Sequence, residues 1–131
     1  MDSFKWKDGF NIGIAEIDEQ HRSFLDCLND CNALISISGK NASIDQSLID
    51  RLRAYATMHF RFEEGLMEAK GYPEIAQQRK MHKYFESQVD ELEASLSKQG
   101  NRSLESVLSF LRDWFLNHVI EQDKRFASYV K

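Results

Sequence analysis

Apolar positions along most of this chain recur at three- and four-residue steps, the period of helices that bury one face. A first helix is expected from about Asp18 to Ser38, with Ile17, His21, Phe24, Leu28, Cys31 and Ile35 on one stripe and Gly39, Lys40 and Asn41 ending it. A second starts near Ser43, where Ser43 and Gln46 read as a capping box. It carries Leu48, Leu52, Tyr55, His59, Phe62 and Leu66, and stops near Lys70 ahead of Gly71, Tyr72 and Pro73. A third begins around Pro73, a good first helical residue. Its inner stripe is Ile75, Gln78, His82, Phe85, Val89, Leu92 and Leu96, closed by Gly100 and Asn101. A fourth runs from Ser103 to about Ile120, with Leu104, Val107, Leu108, Leu111, Phe115 and His118 inward, and a short tail helix carries Phe126, Tyr129 and Val130. Before them, Phe4, Trp6, Phe10, Ile12 and Ile14 alternate loosely around Gly9 and Gly13. This stretch reads as an extended arm on the bundle, since a short strand there would have no partner. The expectation is all-α: an antiparallel up-down-up-down four-helix bundle with an N-terminal arm and a short C-terminal helix, one domain over residues 1–131.

Composition narrows the function. At 131 residues, folding buries roughly two thirds of the unfolded chain's surface, enough for a core. The net charge is -4 and no basic stripe appears, which argues against nucleic acid or an anionic membrane as main partner. No apolar run approaches the roughly 20 residues of a membrane span, and the first ten residues lack a signal-peptide stretch. A cytoplasmic location is expected. The two cysteines, Cys27 and Cys31, lie one helical turn apart and read as small core hydrophobes.

The four histidines change the picture. His21, His59, His82 and His118 each fall on the apolar stripe of a different helix, so an antiparallel bundle can bring them to one level. Burying four imidazoles is unfavourable unless their nitrogens share a purpose. Metal binding is such a purpose, because neutral imidazole ligates iron, zinc and copper. Glu63 follows His59 by four and projects from the same face, where its carboxylate can bridge two metals. Asp123 follows His118 by five, which on an ideal helix points it well away. It joins the cluster only if the fourth helix ends or distorts near Ile120; taken alone it reads as a cap for the tail helix. Glu64 and Glu86 read as surface charges. Carboxylates mixed with imidazoles suit iron or manganese, with zinc still open.

These residues resemble the hemerythrin family over nearly the whole chain. Gly13-Ile14 with Ile17-Asp18-Glu19-Gln20-His21 is similar to the bacterial family's opening. His59-Phe60-Arg61-Phe62-Glu63-Glu64, then Met67 and Gly71-Tyr72-Pro73, is similar to its second-helix signature, and Trp114, His118 and Asp123 to its closing one. The resemblance implies two iron ions bridged by an oxo or hydroxo group, with dioxygen as ligand. It implies His21 and His59 on one iron, His82 and His118 on the other, and Glu63 and Asp123 bridging.

Two departures matter. The family's third-helix motif has two histidines four apart, the second followed three later by Phe. His82 precedes Phe85 by three, so it takes the second place, and Gln78 stands in the first. Phe115 stands where the family more often has leucine beside the oxygen pocket. An amide is a poorer iron ligand than imidazole, so both irons are expected to keep an open or water-filled position. A more accessible centre loses electrons to oxygen more readily, which favours an oxygen or redox sensor module with a fused or partner signalling output, such as a diguanylate cyclase or chemotaxis receptor. The alternative is a free oxygen carrier or store; a di-iron oxidase or peroxidase ranks lower, and no enzyme activity is expected. Partners are then dioxygen or small anions, with no nucleic acid and no membrane contact by this domain.

Overall fold

The computed structural model describes residues 5–38, 45–95 and 104–130. Helix α1 spans Ala15–Ser38, α2 Gln46–Ala69, α3 Ile75–Ser95 and α4 Leu104–Trp114; a π-helical segment, Phe115–Gln122, leads into α5, Asp123–Val130. Helix α1 packs on α2 and α4, and α2 packs on α3, as in an up-down-up-down bundle. Among the described residues there is no strand. The arm is extended at Lys7 and Asn11 on either side of one 3-10 turn, Asp8–Phe10.

The main core takes Phe24, Leu28, Leu52, Phe60, Phe85 and Leu111 from the four helices. A second cluster at one end joins Ile12, Ile17, Met67, Tyr72 and Phe126. The arm is tied down by polar contacts as well as by packing. Asp18 accepts the backbone N–H groups of Ile12 at 2.8 Å and Gly13 at 3.2 Å, and the Arg22 guanidinium lies 4.6 Å from the Trp6 ring centre. Asp18 thereby satisfies donors ahead of the helix, and α1 starts at Ala15, three residues earlier than the periodicity suggests.

Helix α2 is capped differently from expectation. Asp45 is its N-cap, accepting from Leu48 N–H at 2.9 Å, while Gln46 donates to Asp50 and Glu93. Ser43 lies outside the described residues, as do the expected breaks at 39–41 and 100–101 and the residues Ser103 and Leu96. The other end of α2 closes in a Schellman motif. Tyr72 N–H bonds the Met67 carbonyl and Gly71 N–H the Glu68 carbonyl, with Gly71 at φ +65. Pro73 and Glu74 complete that turn, so α3 begins at Ile75 and not at Pro73. Tyr129 is half exposed, its hydroxyl donating to the carbonyls of Lys70 and Gly71.

Two glycines, Gly65 inside α2 and Gly71 just beyond its end, should respond in opposite directions to the same substitution. A Cβ at Gly71 meets nothing within 4 Å, so Gly71→Ala pays only for the left-handed backbone and should destabilise by about 1–2 kcal/mol. Gly65 lies mid-helix with equally open space, and Gly65→Ala should stabilise by about 0.5–1 kcal/mol. Denaturant unfolding of the two variants checks the pair; equal signs would mean the α2 boundary is misplaced.

Candidate metal centre

Each helix delivers one histidine to the same buried level. His21 comes from α1, His59 from α2, His82 from α3 and His118 from the π segment, none more than 2% exposed. Glu63 and Asp123 join them, both fully buried. His21, His59, Glu63 and Asp123 form one group and Glu63, His82 and His118 a second, with the potential ligand atoms of each within 4.8 Å of one another.

The two carboxylates span both groups. Glu63 turns Oε2 toward His59 Nε2 at 3.3 Å and Oε1 toward His82 Nε2 at 3.0 Å and His118 Nε2 at 3.5 Å. Asp123 turns Oδ2 toward His21 Nε2 at 2.9 Å and His59 Nε2 at 3.7 Å, and Oδ1 toward His118 Nε2 at 3.5 Å. Each carboxylate thus offers one oxygen to either pair of imidazoles, the disposition of a bridge between two cations.

Asp123 reaches the site because the helix changes pitch. Residues five apart on an α-helix lie about 140° from alignment. In the π-helical segment Asp123 N–H bonds the His118 carbonyl five residues back, which stacks the two residues on one face. The fourth helix therefore does not continue as α to Ile120, and its distortion is what recruits Asp123.

The imidazoles are held on their outer sides too. His59 Nδ1 donates to Gln20 Oε1 at 2.6 Å. His82 Nδ1 donates to Glu64 Oε2 at 2.7 Å, and Arg79 holds Glu64 from the surface at 3.2 Å. Glu64 is not the solvated charge its sequence position suggests. It fixes the tautomer and orientation of His82. Glu86 is exposed, as expected of a surface charge. Aromatic plates fix the ring planes: Phe60 on His82 at 4.0 Å between centres, Trp114 on His118 at 4.3 Å, Tyr55 on His59 at 5.1 Å. Burial holds the Tyr55 phenol well above its ordinary value, so it stays protonated; it accepts from Trp114 Nε1 at 3.4 Å.

Sequence reasoning missed Gln20, Glu64 and the plates. Trp114 and Tyr55 each stand four residues before the histidine they cover, a spacing that could have shown them. Gln20 and Glu64 directly follow or precede inward residues and gave no such signal. Gln78 is buried, its amide nitrogen donating to the Gln122 carbonyl at 3.3 Å at the end of the π segment. Phe115 lies in the core between Phe10, at 5.2 Å, and Phe24, at 6.3 Å.

The donor set fits metal ions. His59 Nε2, Glu63 Oε2 and Asp123 Oδ1 are buried at the centre of the cluster with no hydrogen-bond partner. Buried polar atoms seldom stay unpaired, and here they converge. Three cavities have a histidine of the cluster in their lining: one of about 290 Å³ between α1 and α2 with His59, one of about 330 Å³ between α3 and the fourth helix with His118, and one of about 580 Å³ between α2 and α3 with His82.

Protons compete for the same atoms. Burial alone would pull His59 down, but the Glu63 and Asp123 carboxylates outweigh it and push the ring up to about 9. His82 is raised likewise, burial being overcome by Glu63 and Glu64. Burial works to raise Glu63, yet His59, His118 and His82 hold it well below the ordinary carboxylate value.

A folded-state value above the ordinary 6.5 stabilises the fold below pH 6.5, and that contribution is lost as pH rises through about 9. The melting temperature of metal-free protein should therefore fall between those values, and that of metal-loaded protein should fall much less. Parallel thermal scans check this; identical pH dependence would show that metal and proton do not share His59. Glu64→Ala should weaken metal retention by about 10–100-fold, and Glu86→Ala should leave it unchanged. Chelator competition measures both, and equal retention by the two variants would return Glu64 to the surface.

Comparison with known proteins agrees with this geometry. Residues 12–130 match the family model described as Hemerythrin HHE cation binding domain. The chain is 34% identical over 126 residues to a bacteriohemerythrin of Stenotrophomonas maltophilia, covering 96% of this chain and 80% of that protein. It is 30% identical over 119 residues to a bacteriohemerythrin of Methylococcus capsulatus, covering 91% and 88%. A myohemerythrin of Phascolopsis gouldii is 27% identical over 123 residues, covering 94% and 91%. With a bundle that presents four imidazoles and two spanning carboxylates, and a family match over almost its whole length, this chain belongs to the hemerythrin family.

Proposed function

We propose that this non-haem di-iron, oxygen-binding domain works as an oxygen- or redox-responsive sensor module, acting on a fused or partner signalling output, and not as an enzyme. His21 and His59 would hold one iron and His82 and His118 the other, with Glu63 and Asp123 bridging. When bound, the iron pair supplies reversible affinity for dioxygen or small anions and electrons that oxygen can remove. The chain's own residues set how readily that happens. Gln20 and Glu64 keep two imidazoles oriented, and Phe60, Tyr55 and Trp114 limit water around the rings.

The observation that carries the sensor reading is Gln78. It sits one turn before His82 on α3, where the family pattern places a further histidine. Its amide nitrogen is engaged with the Gln122 carbonyl, and its Oε1 is buried without a partner. An amide donates weakly to iron, so each half of the centre keeps two imidazoles and a share of two carboxylates. Cavities lined by His59, by His82 and by His118 are consistent with access to both halves. A centre open on both sides oxidises more readily, which suits a sensor over a reversible carrier. The aromatic Phe115 would narrow the space beside the oxygen pocket.

Gln78→His should complete the imidazole set, hold iron more tightly and slow autoxidation. Stopped-flow mixing of the reduced, iron-loaded protein with oxygenated buffer follows oxidation of wild type and variant. A slower variant supports the sensor reading. Equal rates would remove the reason to rank sensor above carrier, while leaving the di-iron assignment intact.

A further inference from the structure

On one side of the histidine cluster the aromatic rings run on to the surface. Trp114 lies on His118 at 4.3 Å between centres, and Phe85 lies beside Trp114 at 4.8 Å. Phe110 follows at 5.8 Å from Phe85, and Tyr84 at 6.3 Å from Phe110. No step exceeds the roughly 7 Å of aromatic rings in contact. The run starts at a histidine 2% exposed and ends on a tyrosine 54% exposed. His118, Trp114, Phe110 and Tyr84 also line the cavity of about 330 Å³ between α3 and the fourth helix, so the route follows one wall of that cavity.

The chemistry of the members decides what the run can carry. Indole and phenol are, with thiols, the side-chain groups that lose one electron most readily. The phenylalanine rings between them supply close unsaturated contact without being oxidised themselves. A phenol gives up its proton along with the electron, and the half-exposed Tyr84 has water to take it. Tyr55 also stacks on a histidine, His59, but its hydroxyl accepts from the Trp114 indole.

Other rings serve this purpose less well. A run one ring longer leads from Tyr55 through Phe24, Phe115 and Phe10 to Trp6. There the Arg22 guanidinium, 4.6 Å from the ring centre, opposes positive charge on the indole. Tyr129 is half exposed, yet it meets Tyr72 and through it Phe126, a group that touches no histidine ring among the described residues.

We propose that Trp114 and Tyr84 form a one-electron path between the centre and the surface, by which Tyr84 gives an electron to a peroxide reduced at the iron pair. This rests on the di-iron reading. Dioxygen that takes two electrons and two protons leaves as hydrogen peroxide, so the oxidant arises where the centre oxidises in air. Reducing peroxide to water takes two electrons more. Where one ferrous ion remains it supplies one, and Tyr84 supplies the other by way of Trp114. One peroxide, one ferrous ion, one Tyr84 phenol and one proton then give two waters, one ferric ion and one Tyr84 phenoxyl radical. The oxidising equivalent ends at the surface and not on an imidazole of the cluster.

Freeze-quenched electron paramagnetic resonance tests this, on iron-loaded protein oxidised by one electron per chain and mixed with an equivalent of hydrogen peroxide. A tyrosyl radical should form. Cross-linked dimers with dityrosine fluorescence should follow, as two radicals join by one carbon–carbon bond and their ring hydrogens move to the phenol oxygens. Tyr84→Phe should abolish the tyrosyl signal and the dimers. Trp114→Phe and Phe110→Leu should lower both, and Tyr129→Phe should leave both unchanged. Iron content and helical circular dichroism report whether each variant has folded. Any of four results would overturn the path: no radical from a wild type that holds two irons, equal yield from Tyr84→Phe, a signal lost in Tyr55→Phe instead, or equal yield from metal-free protein. A wild type that does not hold two irons would overturn the di-iron reading and the path with it.

Discussion

Six ionisable side chains buried at one level of a bundle make a demand that hydrophobic packing cannot meet. A carboxylate or imidazolium removed from water needs an opposite charge and a full set of hydrogen bonds. In the metal-free chain Glu63 and Asp123 are compensated by the histidines around them, and His59 holds a proton up to about pH 9 as a result. Even so, three of the converging atoms stay without hydrogen-bond partners. Cations held between the two carboxylates would answer the same demand more completely, with coordination by inward nitrogens and oxygens in place of protons. The four-helix frame, the plates on the rings and the outer contacts of Gln20 and Glu64 all serve to keep these atoms convergent.

The fourth helix adapts most visibly to that demand. An α-helix through Phe115–Gln122 would deliver His118 and turn Asp123 away. The π-helical segment spends backbone regularity there to place both on one face, and Gln78 braces its end through the Gln122 carbonyl. Local deviation from ideal helix geometry at a functional position is the usual pattern for such segments. Elsewhere the fold uses ordinary devices: an Asp45 cap, a Schellman motif at Gly71, and an arm fastened by Asp18.

Much of this was legible in the residue pattern. Helical stripes placed His21, His59, His82 and His118 on four different helices, and the four-residue step from His59 put Glu63 beside it. The five-residue step to Asp123 stated its own condition, a distortion near Ile120, and the structure meets it. Less legible were the features that depend on contacts between helices. Phe60 covers a histidine of α3 from α2, and Glu64 reaches His82 across the same interface, so neither is implied by its own helix. Helix boundaries also escaped periodicity, since Asp18 and Asp45 act through hydrogen bonds to backbone at particular angles.

The central claim is that Glu63 and Asp123 join two cations into one unit. Iron analysis of purified wild type beside Glu63→Ala tests it most directly, with helical content checked in both. The account predicts two irons per wild-type chain and the loss of both together in the variant, because each half loses an oxygen of the same bridge. One iron retained tightly by Glu63→Ala, or only one ever bound by the wild type, would contradict it.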